Sequence, residues 1–119
     1  MRLNFITTAG LLGLALLTGC AAKAPPTLYQ WGSYQDRIYA QYAEPGKLPA
    51  EGQIAALEAD FQKTGANDRK APPGYFAHLG YLHIQSGKPG QAVQSFEAEK
   101  ALFPESAVYM DLLIKHAQK

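Results

Sequence analysis

The sequence predicts an all-α chain. Three observations carry that reading. No run alternates apolar and polar residues in the manner of a half-buried strand over a useful length. Proline, glycine and the Asn67-Asp68 pair cut the chain after residue 33 into pieces of roughly 10–18 residues. Within the pieces, apolar residues recur at the three- and four-residue spacing that lines one helical face.

The first element runs over about residues 33–44. Ser33 stands where it can cap the helix, and Tyr34, Ile38 and Tyr42 share a face. Glu44-Pro45-Gly46 ends it. The second runs over about 49–64, with Ile54, Leu57 and Phe61 on one side and small alanines at 50, 55 and 56. Gly65 and Asn67-Asp68 close it. The third runs over about 73–85 and carries Phe76, Leu79, Gly80 and His83. Ser86-Gly87-Lys88 is the turn, and Pro89 sits at the favoured first position of the fourth helix. Ala92, Val93 and Phe96 line that helix, which ends near Phe103-Pro104. The fifth runs over about 105–118, its apolar residues being Val108, Tyr109, Leu112 and Leu113.

The third and fourth elements resemble a tetratricopeptide repeat unit, read from Pro73 as its first position. Phe76 occupies the aromatic position and Leu79-Gly80 the Leu-Gly pair. Ala92 and Phe96 occupy the small and aromatic positions of the second helix, and Pro104 closes the unit. Each type has a physical reason. Gly80 lacks a Cβ and lets the paired helix approach, Ala92 is the small residue expected to face it, and Phe76 and Phe96 fill the space between. Two positions depart from the pattern. His83 stands where a tyrosine-like residue is usual, and Glu99 where a second small residue is usual, so Glu99 is expected to face solvent or to alter the packing. The resemblance implies about two helical hairpins plus a C-terminal capping helix. Single repeats cannot bury their own faces, so such a short stack invites a partner.

Residues 1–19 read as a signal segment. Arg2 is followed by an apolar stretch from Phe5 to Leu17, too short for a bilayer-spanning helix, which needs about 20 apolar residues. Leu17-Thr18-Gly19-Cys20 resembles the bacterial lipobox. The resemblance implies cleavage before Cys20, lipidation of its thiol and acylation of its freed amine. Cys20 is the single cysteine, so no intramolecular disulfide forms, and lipid attachment gives the thiol a use. Anchoring by about two or more fatty chains is stable where one is not. Ala21 rather than Asp follows Cys20, which by the Gram-negative sorting rule implies the outer membrane, facing the periplasm. The organisation expected is therefore signal peptide 1–19, lipidated cysteine with tether and Trp-Gly lead-in 20–33, and helical domain 34–119.

Removing Arg2 with the signal leaves ten Lys and Arg against ten Asp and Glu. A neutral domain offers no clustered basic face for nucleic acid. Membrane attachment then falls to the lipid on Cys20 alone.

Leu28-Tyr29-Gln30-Trp31-Gly32-Ser33-Tyr34 precedes the first helix and holds the single tryptophan. It reads as a chain docking Trp31 on the helical core, or as an aromatic contact surface of Tyr29, Trp31 and Tyr39 for a partner. Lipobox, Tyr-x-Trp-Gly-x-Tyr lead-in and divergent repeat together resemble a family of small Gram-negative outer-membrane lipoproteins. These are often encoded beside a lipoprotein similar to the curli secretion channel. The resemblance implies an accessory role in an outer-membrane assembly and carries over no catalytic residue.

The residues themselves offer no catalytic constellation. His78 and His83 are five apart and point to different sides of a helix, whereas a metal pair on one face needs a spacing near four. Glu97 and Glu99 cannot share a face. No glycine-rich phosphate loop follows a strand, and no serine sits in a nucleophile elbow. The expectation is a non-enzymatic adaptor without cofactor or metal, binding another envelope protein. The alternative is a carrier holding a small apolar ligand or lipid between its helices.

Overall fold

The computed structural model describes residues 25–64 and 70–119. The signal segment, the Leu17-Thr18-Gly19-Cys20 motif and the Asn67-Asp68 turn lie outside the described residues. The fold is all-α. Its helices are α1 (Tyr34–Ala43), α2 (Ala50–Thr64), α3 (Tyr75–Gln85), α4 (Pro89–Leu102) and α5 (Ala107–Ala117), with a 3-10 turn at Pro104–Ser106 leading into α5. Among the described residues the β-type pairing is confined to an isolated bridge between Tyr29 and Lys70.

Helix α3 begins two residues later than Pro73, because Gly74 is left-handed at φ 86°. A Cβ there would also stand 2.8 Å from the Tyr34 hydroxyl, so both backbone and space call for glycine. The turn into α4 is a Schellman motif. Gly87 takes φ 68°, its amide donates to the Ile84 carbonyl, and the Lys88 amide donates to that of His83 at 2.8 Å. Pro89 then opens α4 without wasting an amide.

Helix α3 lies between two cores. Tyr75, Leu79 and Leu82 pack with Ile54 and Leu57 of α2 and with Ala71. The second core joins Ala92 and Phe96 of α4 to Met110 of α5, with Ala77 of α3 against them. Full burial of a Leu-sized side chain is worth about 1.5–3 kcal/mol, so Leu57 and Leu82, wholly enclosed, are principal contributors. The buried aromatic of α3 is Tyr75, whose hydroxyl donates to the Leu57 carbonyl at 2.7 Å. Phe76 is half-buried and meets Phe61 edge-on. In α5 the enclosed residue is Met110, while Val108, Tyr109 and Leu112 are exposed.

The starts of α1 and α3 are each held by a carboxylate from the following helix. The first four amides of a helix lack internal partners. The Ser33 side chain makes no capping bond, contrary to the sequence expectation. Instead its amide donates to Asp60 Oδ2 at 3.0 Å, from the far end of α2. At the start of α3, Glu99 from the far end of α4 does more. Its Oε1 accepts from the Gly74 amide at 2.6 Å, and its Oε2 from the Phe76 and Ala77 amides at 3.1 and 3.3 Å. Glu99 is thus only 3% exposed, not turned to solvent. The departure from the repeat pattern is a carboxylate on the positive end of a helix.

Gly80 is buried in the α3–α4 crossing, where the Phe96 ring lies nearest to it. A Cβ on Gly80 would lie 2.7 Å from Cδ1 and 2.9 Å from Cζ of the Phe96 ring. Ala92 lies with Phe96 in the second core.

Candidate functional site

Beside the second core lies a mainly apolar groove of about 460 Å³. Helix α3 supplies one wall with Ala77, His78, Tyr81 and Ile84, a stripe at helical spacing. Helix α5 supplies the facing wall with Tyr109, Leu113, His116 and Ala117. Phe96 joins them from α4, and Tyr42 from the last turn of α1. The volume falls within the roughly 300–1,000 Å³ of ligand sites. The groove is nevertheless open, since Tyr42 is 79% exposed and Tyr109 61%.

Its lining contains no Asp, Glu, Lys or Arg. The polar atoms are phenol hydroxyls and imidazole nitrogens. Gln85 Nε2 donates to the Tyr81 hydroxyl at 2.8 Å, and the His78 ring stacks on that of Tyr81. His78 is buried, and its Nε2 has no hydrogen-bond partner. His83 faces a separate recess with Glu58 and Gln94, so the two histidines do point apart. His116, which the sequence left ungrouped, joins His78 in the groove. Among the described residues no group of three His, Cys, Asp or Glu is placed to hold a metal. No helix among them is long and apolar enough to cross a membrane.

Burial holds the imidazoles of His78 and His83 below their ordinary value. The unfolded chain takes up these protons near pH 6.5, before the folded one does. Stability is therefore full above that range and is lost as pH falls through it. The urea midpoint of a soluble form should drop between about pH 7.5 and pH 5.5. Replacing both residues by Gln should flatten that slope. Asp60, held below the usual carboxylate range by its hydrogen bonding to Ser33, whose amide lies 3.0 Å away, acts only at lower pH.

The residues singled out in the lead-in are placed differently from one another. Tyr29 and Trp31 are half-buried. Tyr29 meets Phe103 edge-on with centroids 6.1 Å apart, and Trp31 stacks on Tyr34 at 6.3 Å. The Gln30 amide donates to the Lys70 carbonyl. Tyr39 is exposed on α1 and lies outside the groove lining. Of the repeat positions, Leu79, Gly80, Ala92 and Phe96 are buried, Phe76 is half-buried, and Pro104 opens the 3-10 turn. Cys20 lies outside the described residues. A binding groove between the helices was expected, but its lining residues were not. Its signal was an excess: α5 carries more apolar residues than one buried face can use, which marks a helix with a second apolar contact.

A family model described as "Domain of unknown function (DUF4810)" matches residues 28–113, from the lead-in into α5. No curated protein and no solved structure matches the chain.

Proposed function

The chain belongs to the DUF4810 family, and from that premise we propose that it is a non-catalytic adaptor, held on the outer membrane by lipid on Cys20 and binding another envelope protein. The observation that carries this reading is the open, uncharged groove with its exposed tyrosines. Exposed apolar and aromatic surface of this kind is characteristic of interaction sites. The matching bonds, Asp60 to the Ser33 amide and Glu99 to the Gly74 amide, support an internal repeat of two helical hairpins. The open side of the groove favours a macromolecule over the enclosed small ligand of a carrier.

The anchor is tested by Cys20→Ala, which should abolish palmitate incorporation and release the protein from the membrane fraction. Undiminished labelling would sink the lipoprotein reading. For the adaptor, the protein is extracted in mild detergent and its companions identified by mass spectrometry. A protein that co-purifies with the parent but not with Tyr109→Asp is the expected result. A lipid or small molecule in its place would favour the carrier.

A further inference from the structure

We propose that the groove takes an uncharged, apolar, non-helical peptide segment of the protein partner, and that Tyr81 donates its phenolic hydrogen to a main-chain carbonyl of that segment. The proposal rests on the adaptor reading and specifies what the partner presents.

The first argument is electrostatic complementarity. A charge brought into this groove would lose its hydration and find no opposite charge in the lining. On the neighbouring α4–α5 face Lys100 is already engaged, its Nζ 2.7 Å from Asp111 and 3.1 Å from Glu97. A neutral segment avoids that charge penalty, and its apolar side chains meet Phe96, Leu113 and Ala77.

The second argument is the hydrogen bonding of Tyr81. A phenol accepts and donates. Gln85 fills the accepting role, and among the described residues none accepts the Tyr81 hydrogen. Stacking with His78, ring centroids 6.2 Å apart, holds the phenol in place. Tyr81 is 45% exposed, so water satisfies the hydroxyl while the groove is empty. An occupant displaces that water and must offer an acceptor in return. Every peptide carries carbonyls, and a non-helical one leaves them free along its length, whereas a helix frees only those of its last turn. An acyl chain has none along its length, so a lipid would leave the hydroxyl unpaired.

The full chain, reconstituted in phosphatidylcholine nanodiscs, is used to select from a phage-displayed library of random peptides, with empty nanodiscs for counter-selection. Selected sequences should be apolar and free of charge across their central positions. A synthetic copy of the best should bind Tyr81→Phe about three- to tenfold more weakly than the parent, the effect of one neutral hydrogen bond. Gln85→Ala should bind nearly as the parent does. Far-UV dichroism and urea midpoints equal to the parent's show that the variants are folded. Selection of acidic or basic peptides overturns the neutral-segment proposal and leaves the adaptor reading standing. Full affinity in Tyr81→Phe overturns the assigned hydrogen bond. If no peptide is selected and a fluorescent fatty acid binds instead, both the proposal and the adaptor reading fall.

Discussion

Glu99→Ala should lower the stability of the domain by about 3–5 kcal/mol, read as a large drop in urea midpoint for a soluble form of residues 21–119. The carboxylate accepts three amides at the start of α3. A hydrogen bond to a charged group is worth about 1.5–3 kcal/mol, and a buried donor left unpaired costs about 1–3 kcal/mol. The three bonds share one side chain and do not add fully, and water recovers part of the loss. What remains is still a large share of the roughly 5–15 kcal/mol that holds a small domain. Glu99→Gln should lose less, about 2 kcal/mol. It keeps the shape and one acceptor oxygen, but turns an amide group towards either Gly74 or the Phe76–Ala77 pair. A midpoint for Glu99→Ala within the range of ordinary surface changes, about 0.5 kcal/mol, would show that the cap is dispensable.

Gly80→Leu should cost about 3 kcal/mol or more, and Gly80→Ala about 1 kcal/mol. Two effects compete at this position. Replacing glycine inside a helix gains about 1 kcal/mol of propensity. Against that, even one methyl collides with Phe96, whose ring is 2% exposed and packed between Ala92 and Met110. Overpacking costs typically about 1–3 kcal/mol, so the clash outweighs the gain for alanine and overwhelms it for leucine. The mechanism has its own check. Phe96→Leu removes the ring, so Gly80→Ala should be less harmful in that background than alone. Equal effects in both backgrounds would mean that the ring is not the obstacle.

Much of the helical layout was legible in local chemistry. Pro89 after Ser86-Gly87-Lys88, Pro104 after Phe103 and Gly46 after Pro45 mark breaks that depend only on neighbouring residues. What involved distant residues was not legible. Asp60 reaches an amide 27 positions away and Glu99 one 25 positions away, so Ser33 looked like a cap and Glu99 like a misfit. Which side chain of α4 comes nearest to Gly80 depends on how the two helices cross, and one sequence does not state that crossing. The lining of the groove was hidden for a related reason. Tyr109, Leu113 and His116 form a stripe that reads the same whether it faces a core or a ligand. The packing of Met110, Leu113, Ile114 and Ala117 on the second core tells which face of α5 is used there.

Helix beginnings are ordinarily where a fold frays first, because their leading amides are tied to little but solvent. In this domain the leading amides of α3 are tied to the last turn of α4. The start of one helix and the end of the next must therefore open together. The amides of Gly74, Phe76 and Ala77 should exchange with deuterium only when the whole hairpin opens. Local fluctuation is traded for a cooperative unit, and that unit includes the α3 wall of the groove. An occupant thus meets a surface whose shape persists between encounters, which spares the association the cost of ordering it.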